Sequence, residues 1–354
     1  MILPSTTLAG LLLLILTLFC WGSWANSQRL VFKWRFELFY YDFAIGLAAC
    51  VLLAALTLGS LNAQELTVSD NMMIAGYRKM AYGVGAGVIV NLAYMLLVAA
   101  ISLSGMAVAF PISFGVALVV TSLTNFIGSP QPSNALLLFG GLTLVVIAVV
   151  LDCIAYRSQV DALAAAAKTG PVLDPRTRLP VRTPVAARGI LLSVLAGIPL
   201  GFFLPVVDGS RTGENGVGPY GLAALIGAGM FFSTLIYVPF FINFPVQGDP
   251  VQVRDYFKGA KKQHFWGIFA GFVWAVGLIS ALVEGAVPPA LQASPALVAG
   301  LLQGGPVVAT LWGLIAWREF NGATQGVRLL MLAMIVTYLA GLALVSLASV
   351  YSSR

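Results

Sequence analysis

Apolar runs of about twenty residues alternate with short polar segments along the whole chain. About 30 Å of hydrocarbon needs roughly 20 apolar residues in a helix, so each run is long enough to cross a bilayer. The runs fall at residues 7–26, 39–59, 81–104, 106–127, 134–156, 189–207, 218–244, 264–285, 295–317 and 326–349. The pattern predicts an all-α polytopic membrane protein with ten transmembrane helices. No Lys or Arg precedes Arg29. The first run therefore lacks the basic start of a signal peptide and reads as a retained span.

Residues 158–188 interrupt this rhythm. Ala162–Ala167 suits a short interfacial helix, whereas Pro171, Pro175, Pro180 and Pro184 cannot continue one. They stand among Arg176, Arg178, Arg182 and Arg188 and mark a linker between two halves, 1–157 and 189–354. Five spans per half is an odd number, so the second half enters the bilayer upside down. That predicts two inverted five-helix repeats, a transporter design with its solute site near the midplane. Two short internal matches agree with it. Ala86-Gly87-Val88-Ile89 in span three parallels Ala270-Gly271-Phe272-Val273 in span eight. Val119-Val120-Thr121-Ser122-Leu123 in span four parallels Val307-Val308-Ala309-Thr310-Leu311 in span nine.

Composition narrows the function. Apolar residues make up 59% and charged residues only 9%, with a mean hydropathy of +0.94. A soluble domain carries about 25% charged residues, so a soluble enzyme, a nucleic-acid binder and a secreted disulfide scaffold are excluded. Cys20, Cys50 and Cys153 lie in apolar runs and form no disulfide framework. The net charge of +6 is loop charge that sets topology. Arg29, Lys33, Arg35, the linker arginines, Arg254, Lys258, Lys261, Lys262 and Arg318 fall in alternate loops. The other side has Arg78, Lys79, Arg211 and Arg354, with Arg328 at a boundary. The basic loops and the linker should face the cytoplasm, leaving both termini outside a cytoplasmic (inner) membrane. The expected partners are the lipid bilayer and a small-molecule substrate, with protons as a coupling ion and no nucleic acid.

Catalytic chemistry finds little to work with. One histidine, His264, scattered cysteines and no intramembrane acid pair leave no triad, metal cluster or proteolytic dyad. The linker contains no GxxxxGK[ST] phosphate loop. The chain should be no enzyme and should need no metal or cofactor. Helix breakers gather instead in three spans: Pro111 and Gly115; Gly197, Pro199, Gly201 and Pro205; and Gly300, Gly304, Gly305 and Pro306 beside Gln303. Two readings stand: broken helices lining a central cavity, or close packing through small residues. Mid-span amides and hydroxyls, with tryptophan faces, suit a polyol or urea-like solute. The candidate substrate contacts are Trp21, Trp24, Asn91, Trp274 and Gln303; interfacial belts and helix–helix hydrogen bonding are the competing explanations.

The acids near the spans are Asp42, Asp152, Asp208, Glu284 and Glu319. Asp42 opens span two, where it would suit the positive helix N-terminus or couple a proton to transport. Glu319 suits an edge ion pair beside Arg318, and Asp152 and Glu284 suit cavity mouths near opposite surfaces. Asp42 and Glu319 are the candidate coupling residues. His264 reads as interfacial, next to Lys261 and Lys262. The absence of fixed midplane charge favours an uncharged solute, because an unpaired buried charge is costly.

Three segments carry a resemblance: Cys20-Trp-Gly-Ser-Trp-Ala-Asn26, Phe36-Glu-Leu-Phe-Tyr-Tyr-Asp-Phe43 and Leu311-Trp-Gly-Leu-Ile-Ala-Trp-Arg-Glu-Phe-Asn-Gly-Ala323. Together they resemble the drug/metabolite transporter superfamily, in its branch of glucose/ribose-type sugar porters and ureide permeases. The resemblance implies a ten-helix carrier that works by alternating access and takes up small neutral polar solutes with protons. It marks Trp21, Gly22, Trp24, Tyr41, Asp42 and Glu319 as matched positions. Plant ureide permeases are described with a nucleotide-binding-like motif in the central loop, which residues 157–188 lack. The expected solute is accordingly a monosaccharide first and a ureide second. The alternatives are an exporter of amphipathic drugs or metabolites from the same superfamily, and a non-transporting membrane sensor or assembly protein.

Overall fold

The computed structural model describes residues 1–31, 34–61, 66–128, 134–167 and 186–351. Lys33, Arg354 and the part of the linker at 168–185, with its four prolines, lie outside the described residues. Ten helices are long and apolar enough to span a membrane. In order they are Thr7–Leu30, Phe36–Leu56, Tyr77–Ser104, Met106–Gly128, Ala135–Ala166, Ala186–Arg211, Pro219–Asn243, Lys261–Glu284, Pro295–Ala316 and Gln325–Ala348. Short helices at Val68–Ile74 and Val253–Lys258 lie in the connections, and the described residues contain no strand.

Three departures from the sequence pattern bear on function. Span two starts at Phe36, which moves Asp42 into its second turn and leaves Glu37 as the acid in its first. The helix-N-terminus role expected of Asp42 is therefore open to Glu37 instead, the residue near enough for the dipole. Ala162–Ala167 is no separate interfacial helix, because span five runs unbroken through it. The prolines of spans four and six break nothing: both helices continue through Pro111, Pro199 and Pro205. Neighbouring helices and side-chain hydroxyls can satisfy what a membrane proline frees. Among the described residues span one is divided at Trp24–Ala25; span nine is interrupted at Gln303–Gly304 and ends in a wide π-type turn at Trp312–Ala316.

Spans two, three and four are two-thirds buried; spans five, nine and ten are one-third buried. Span three packs on spans six and seven, span eight packs on spans one and two, and spans five and ten pair at the periphery. Close approach, not hydrophobicity, holds helices together in lipid, and small residues permit it. A Cβ at Gly87 would strike the Ile226 carbonyl, and one at Gly229 the Val84 carbonyl, where spans three and seven cross. Gly46 and Gly271 stand in the same reciprocal relation to Ile268 and Phe43, where spans two and eight cross. Val120 fills the notch at Gly201 in span six, and Val308 fills the notch at Gly22 in span one. Hydroxyls join the same seams: Thr121 donates to the Gly201 carbonyl (2.6 Å), Ser113 to Ser193 (2.9 Å) and Thr17 to Gly277 (3.1 Å).

Candidate transport site

The centre of the molecule is aromatic. Trp24 near the end of span one lies 5.0 Å from Phe43, 5.4 Å from Tyr94 and 6.5 Å from Phe110, ring centre to ring centre. Trp274 of span eight stacks on Trp21 at 6.3 Å and meets Tyr94 edge-on at 5.3 Å. Trp24 and Trp274 are 1% and 0% exposed. A buried indole N–H normally finds a partner, yet those of Trp21 and Trp24 have none. Trp274 Nε1 points toward the Tyr94 hydroxyl without a well-formed hydrogen bond. Flat apolar faces with unspent donors among them suit a solute that brings carbonyl or hydroxyl acceptors.

Asn91 borders this centre and is already committed. Its Oδ1 accepts from Tyr40 (2.9 Å), and its Nδ2 donates to Ser233 (2.8 Å) and Thr234 (3.0 Å). The amide thus ties span three to spans two and seven, the interhelical bonding expected of Asn in a membrane. Gln303 lies apart, half-buried at the break of span nine. The structure brings Trp21, Trp24 and Trp274 together and adds Phe43, Tyr94 and Phe110. Those three were missed because aromatic residues are common in spans and nothing in a single sequence shows which of them meet.

At the end of the bundle where the linker attaches, two polar clusters join the halves. In the first, Asp42 is buried on span two and accepts from the Tyr256 hydroxyl (2.6 Å), with His264 Nδ1 at 2.9 Å. Tyr256 stands in the loop before span eight, and burial together with the Asp42 carboxylate pushes its hydroxyl upward, so it stays a donor. His264 is not merely interfacial: it closes on Asp42, and Trp34 covers its ring edge-on at 5.4 Å. Beside this cluster the Arg35 guanidinium grips the buried Glu37 (2.6 and 3.1 Å) and reaches the Asp249 carbonyl at 2.8 Å.

The second cluster is a ladder between the ends of spans one and nine. Trp312 Nε1 donates to Ser23 (2.9 Å), Trp317 Nε1 donates to Asn26 (2.6 Å), and Arg29 pairs with Glu319. Ser23, Asn26 and Arg29 are three residues apart and share a helix face. That spacing was the legible signal, hidden because Arg29 had been counted only as loop charge. Glu319 is indeed ion-paired at the edge, but with Arg29 and not with its neighbour Arg318. Its two oxygens also accept from the Met106 and Ala107 N–H groups (2.9 and 2.8 Å), two of the unpaired donors at the start of span four. Left-handed backbone at Arg318 (φ 52°) and Gly105 (φ 86°) shapes this contact. A Cβ at Gly105 would lie 2.5 Å from the Glu319 carboxyl carbon, so only glycine fits.

Neither Asp152 nor Glu284 lines a mouth. Both are buried; Asp152 has no partner on either oxygen, and Glu284 has one oxygen unpaired. Asp152 lies within electrostatic reach of Glu319. Towards the other end of the bundle a cavity of about 550 Å³ opens among apolar side chains of spans one, two and eight, including Leu12, Leu53, Phe272 and Val276. A second void, about 10 Å³, is enclosed by Pro111, Pro306 and Tyr338 between spans four, nine and ten.

No protein-family model matches the chain. Curated relatives do. The chain is similar to plant ureide permeases along nearly its whole length. It is 21% identical to ureide permease 4 of Arabidopsis thaliana across an alignment of 391 positions that covers 95% of this chain and 96% of the relative. It is 20% identical to ureide permease 2 of the same plant (88% and 89% covered) and 20% identical to ureide permease 1 (88% of each). All three are named as permeases. Ten apolar helices among the described residues and end-to-end similarity to permeases support a multi-pass membrane protein.

Proposed function

We propose that this chain is a secondary transporter of a small, neutral, polar solute that works by alternating access. The observation that carries the reading is where the halves are joined. Among the described residues, the two acid–base contacts that cross between halves, Arg29–Glu319 and Asp42–His264, lie at the linker end. The larger cavity is a groove toward the opposite end, lined by the exposed Leu12, Leu53 and Phe272. The acid–base contacts at the linker end suit a gate of a carrier on that side, while the halves meet at the other end through hydrogen bonds of Asn71 and Lys79. The basic loops put the linker end in the cytoplasm and both termini outside.

The two halves act as inverted repeats. Gly87 and Gly271, aligned by the internal match, each press a neighbouring carbonyl at a reciprocal crossing. Val120 and Val308, aligned by the second match, each fill a glycine notch in the first span of the other half. Chance similarity gives no reason for aligned residues to do the same structural work.

The solute we favour is a ureide, ahead of a monosaccharide. A sugar needs many hydrogen-bonding groups, and Asn91, Ser233 and Thr234 satisfy one another. The unspent indole donors suit a flat molecule with carbonyl acceptors. A second reading, export of amphipathic molecules, draws on the apolar lining of the 550 Å³ cavity. A thermal-shift screen of the purified protein with ureides, monosaccharides and amphipathic cations separates these. Binding to the folded form stabilises by about 2.7 kcal/mol at a hundredfold excess over Kd. Stabilisation by a ureide, lost in Trp24→Ala, supports the proposal. Stabilisation by cations alone replaces it with export, and no stabilisation by any class favours the non-transporting sensor.

A further inference from the structure

Asp152 is the acid that the transport reading leaves unused. It stands on span five with no exposed surface and no hydrogen-bond partner on either carboxylate oxygen. Its helix turns toward the start of span four, where Tyr156 and Val160 pack on Val108 and Ile112. The ionisable groups around it can be taken element by element. Glu319 comes from the turn between spans nine and ten and brings its partner Arg29. Tyr338 of span ten packs with Val145 and Ala148 of span five, and Cys153 and Tyr156 lie on span five itself. Span four carries no Asp, Glu, Lys, Arg or His, and Arg188 at the start of span six is exposed.

Glu319 has taken what could have neutralised Asp152. The Arg29 guanidinium and the two free N–H groups of span four all bond Glu319. A second carboxylate beside it, ionised and without a partner, would lose its hydration and gain only repulsion. A protonated carboxyl loses far less.

We propose that Asp152 is a proton-binding site that controls the latch between spans one and nine. With its proton, Asp152 is a neutral neighbour and Glu319 keeps Arg29 and the start of span four. When the O–H bond breaks, the electron pair stays on Asp152 and the proton passes to water admitted as the linker end opens. The new carboxylate then repels the Glu319 carboxylate, which loosens the ladder. Existence of the site stands on this geometry alone; its use to drive solute movement rests on the transport reading.

Infrared spectroscopy of the purified protein tests the site without any solute. At neutral pH the wild type should show a carboxylic-acid carbonyl band that shifts in D2O and in protein labelled with 13C-aspartate. The band should vanish in Asp152→Asn and persist in Asp208→Asn, whose carboxylate is exposed and paired with Arg211. Should Asp152→Asn fail to fold, a labelled band that persists in Asp42→Asn, the other buried aspartate, still assigns it to Asp152. A wild type without an aspartic-acid band, or a band retained in Asp152→Asn, overturns the proposal. Uptake into liposomes then tests its use. Asp152→Asn should keep the ligand-induced thermal shift and lose acceleration by a proton gradient; a gradient response equal to wild type overturns the control of the latch. A band that belongs to Asp152 in a protein that moves no solute would overturn the transport reading and leave the site in place.

Discussion

Spans four and nine are each the fourth span of a set of five, before and after the linker, and they have come out differently. Span four is one unbroken helix of 23 residues, two-thirds buried, with a proline in its interior. Span nine is interrupted at Gln303–Gly304, widened at Trp312–Ala316 and only one-third buried. Proline content does not explain this, since each has one in its interior, Pro111 and Pro306. Packing does. Span four fills the Gly201 notch, bonds the span-six carbonyls through Ser113 and Thr121, and has its first N–H groups held by Glu319. In span nine the residue aligned with Thr121 is Ala309, which has no hydroxyl, and its neighbour Thr310 turns back to the Pro306 carbonyl in its own helix. Span nine packs on spans one, four and ten, but among the described residues its side-chain hydrogen bonds to other helices are at its end, in the ladder to span one. A helix held along its length suits a fixed wall, and one held at its end suits a moving gate.

The contrast can be broken most strongly at the glycine notches. A Cβ at Gly201 would overlap Val120 and approach the Ala117 carbonyl to 2.9 Å against a helix that cannot retreat. Gly201→Ala should cost about 3 kcal/mol, the upper end for overpacking. At Gly22 the collision is with Val308 and the Gly305 carbonyl, in a span that can yield, so Gly22→Ala should cost only about 1 kcal/mol. Thermal unfolding in detergent measures both, and equal losses would remove the distinction between wall and gate.

Glu319→Gln comes next. One amide cannot accept from two N–H groups and an arginine at once, so the loss should be about 2 kcal/mol for hydrogen bonds to a charged group. Both spans feel it, because Glu319 caps span four and anchors span nine. Spin labels across the linker end should show a wider, longer distance distribution in the variant. An unchanged distribution would mean that the ladder does not hold this end closed.

The prolines give the smallest effect. Pro306 stands where the second part of span nine begins, a position proline favours. Pro306→Ala should let the break straighten and slow solute exchange, with stability changed by less than about 1 kcal/mol. Pro111→Ala should leave exchange as it is. A slower rate in Pro111→Ala and a normal one in Pro306→Ala would exchange the roles of the two spans.

The ten spans were legible because bilayer thickness sets a length that apolar runs either meet or miss. Their ends were less so, and a shift of three residues at span two was enough to misplace Asp42 relative to the helix N-terminus. The breakers in spans four and six read as interruptions because a proline shows what it removes locally, while the hydroxyls and neighbours that compensate come from elsewhere in the chain. Glu319 stood out as an edge acid, but its partners Arg29 and the 106–107 backbone lie more than two hundred residues away. Asp152 looked superficial because counting along span five gave its depth and not its surroundings. The aligned pairs Gly87/Gly271 and Val120/Val308 carried the most information per residue, since each marks a tight contact that a substitution would spoil.

The most direct test bridges the ladder itself. With Cys20, Cys50 and Cys153 replaced by serine, cysteines at Ser23 and Trp312 can be joined by a cleavable bifunctional thiol reagent. Uptake of the stabilising solute into liposomes should fall to background while the bridge is intact and return when it is cleaved. Uptake that continues at the unbridged rate would contradict a gate formed by spans one and nine.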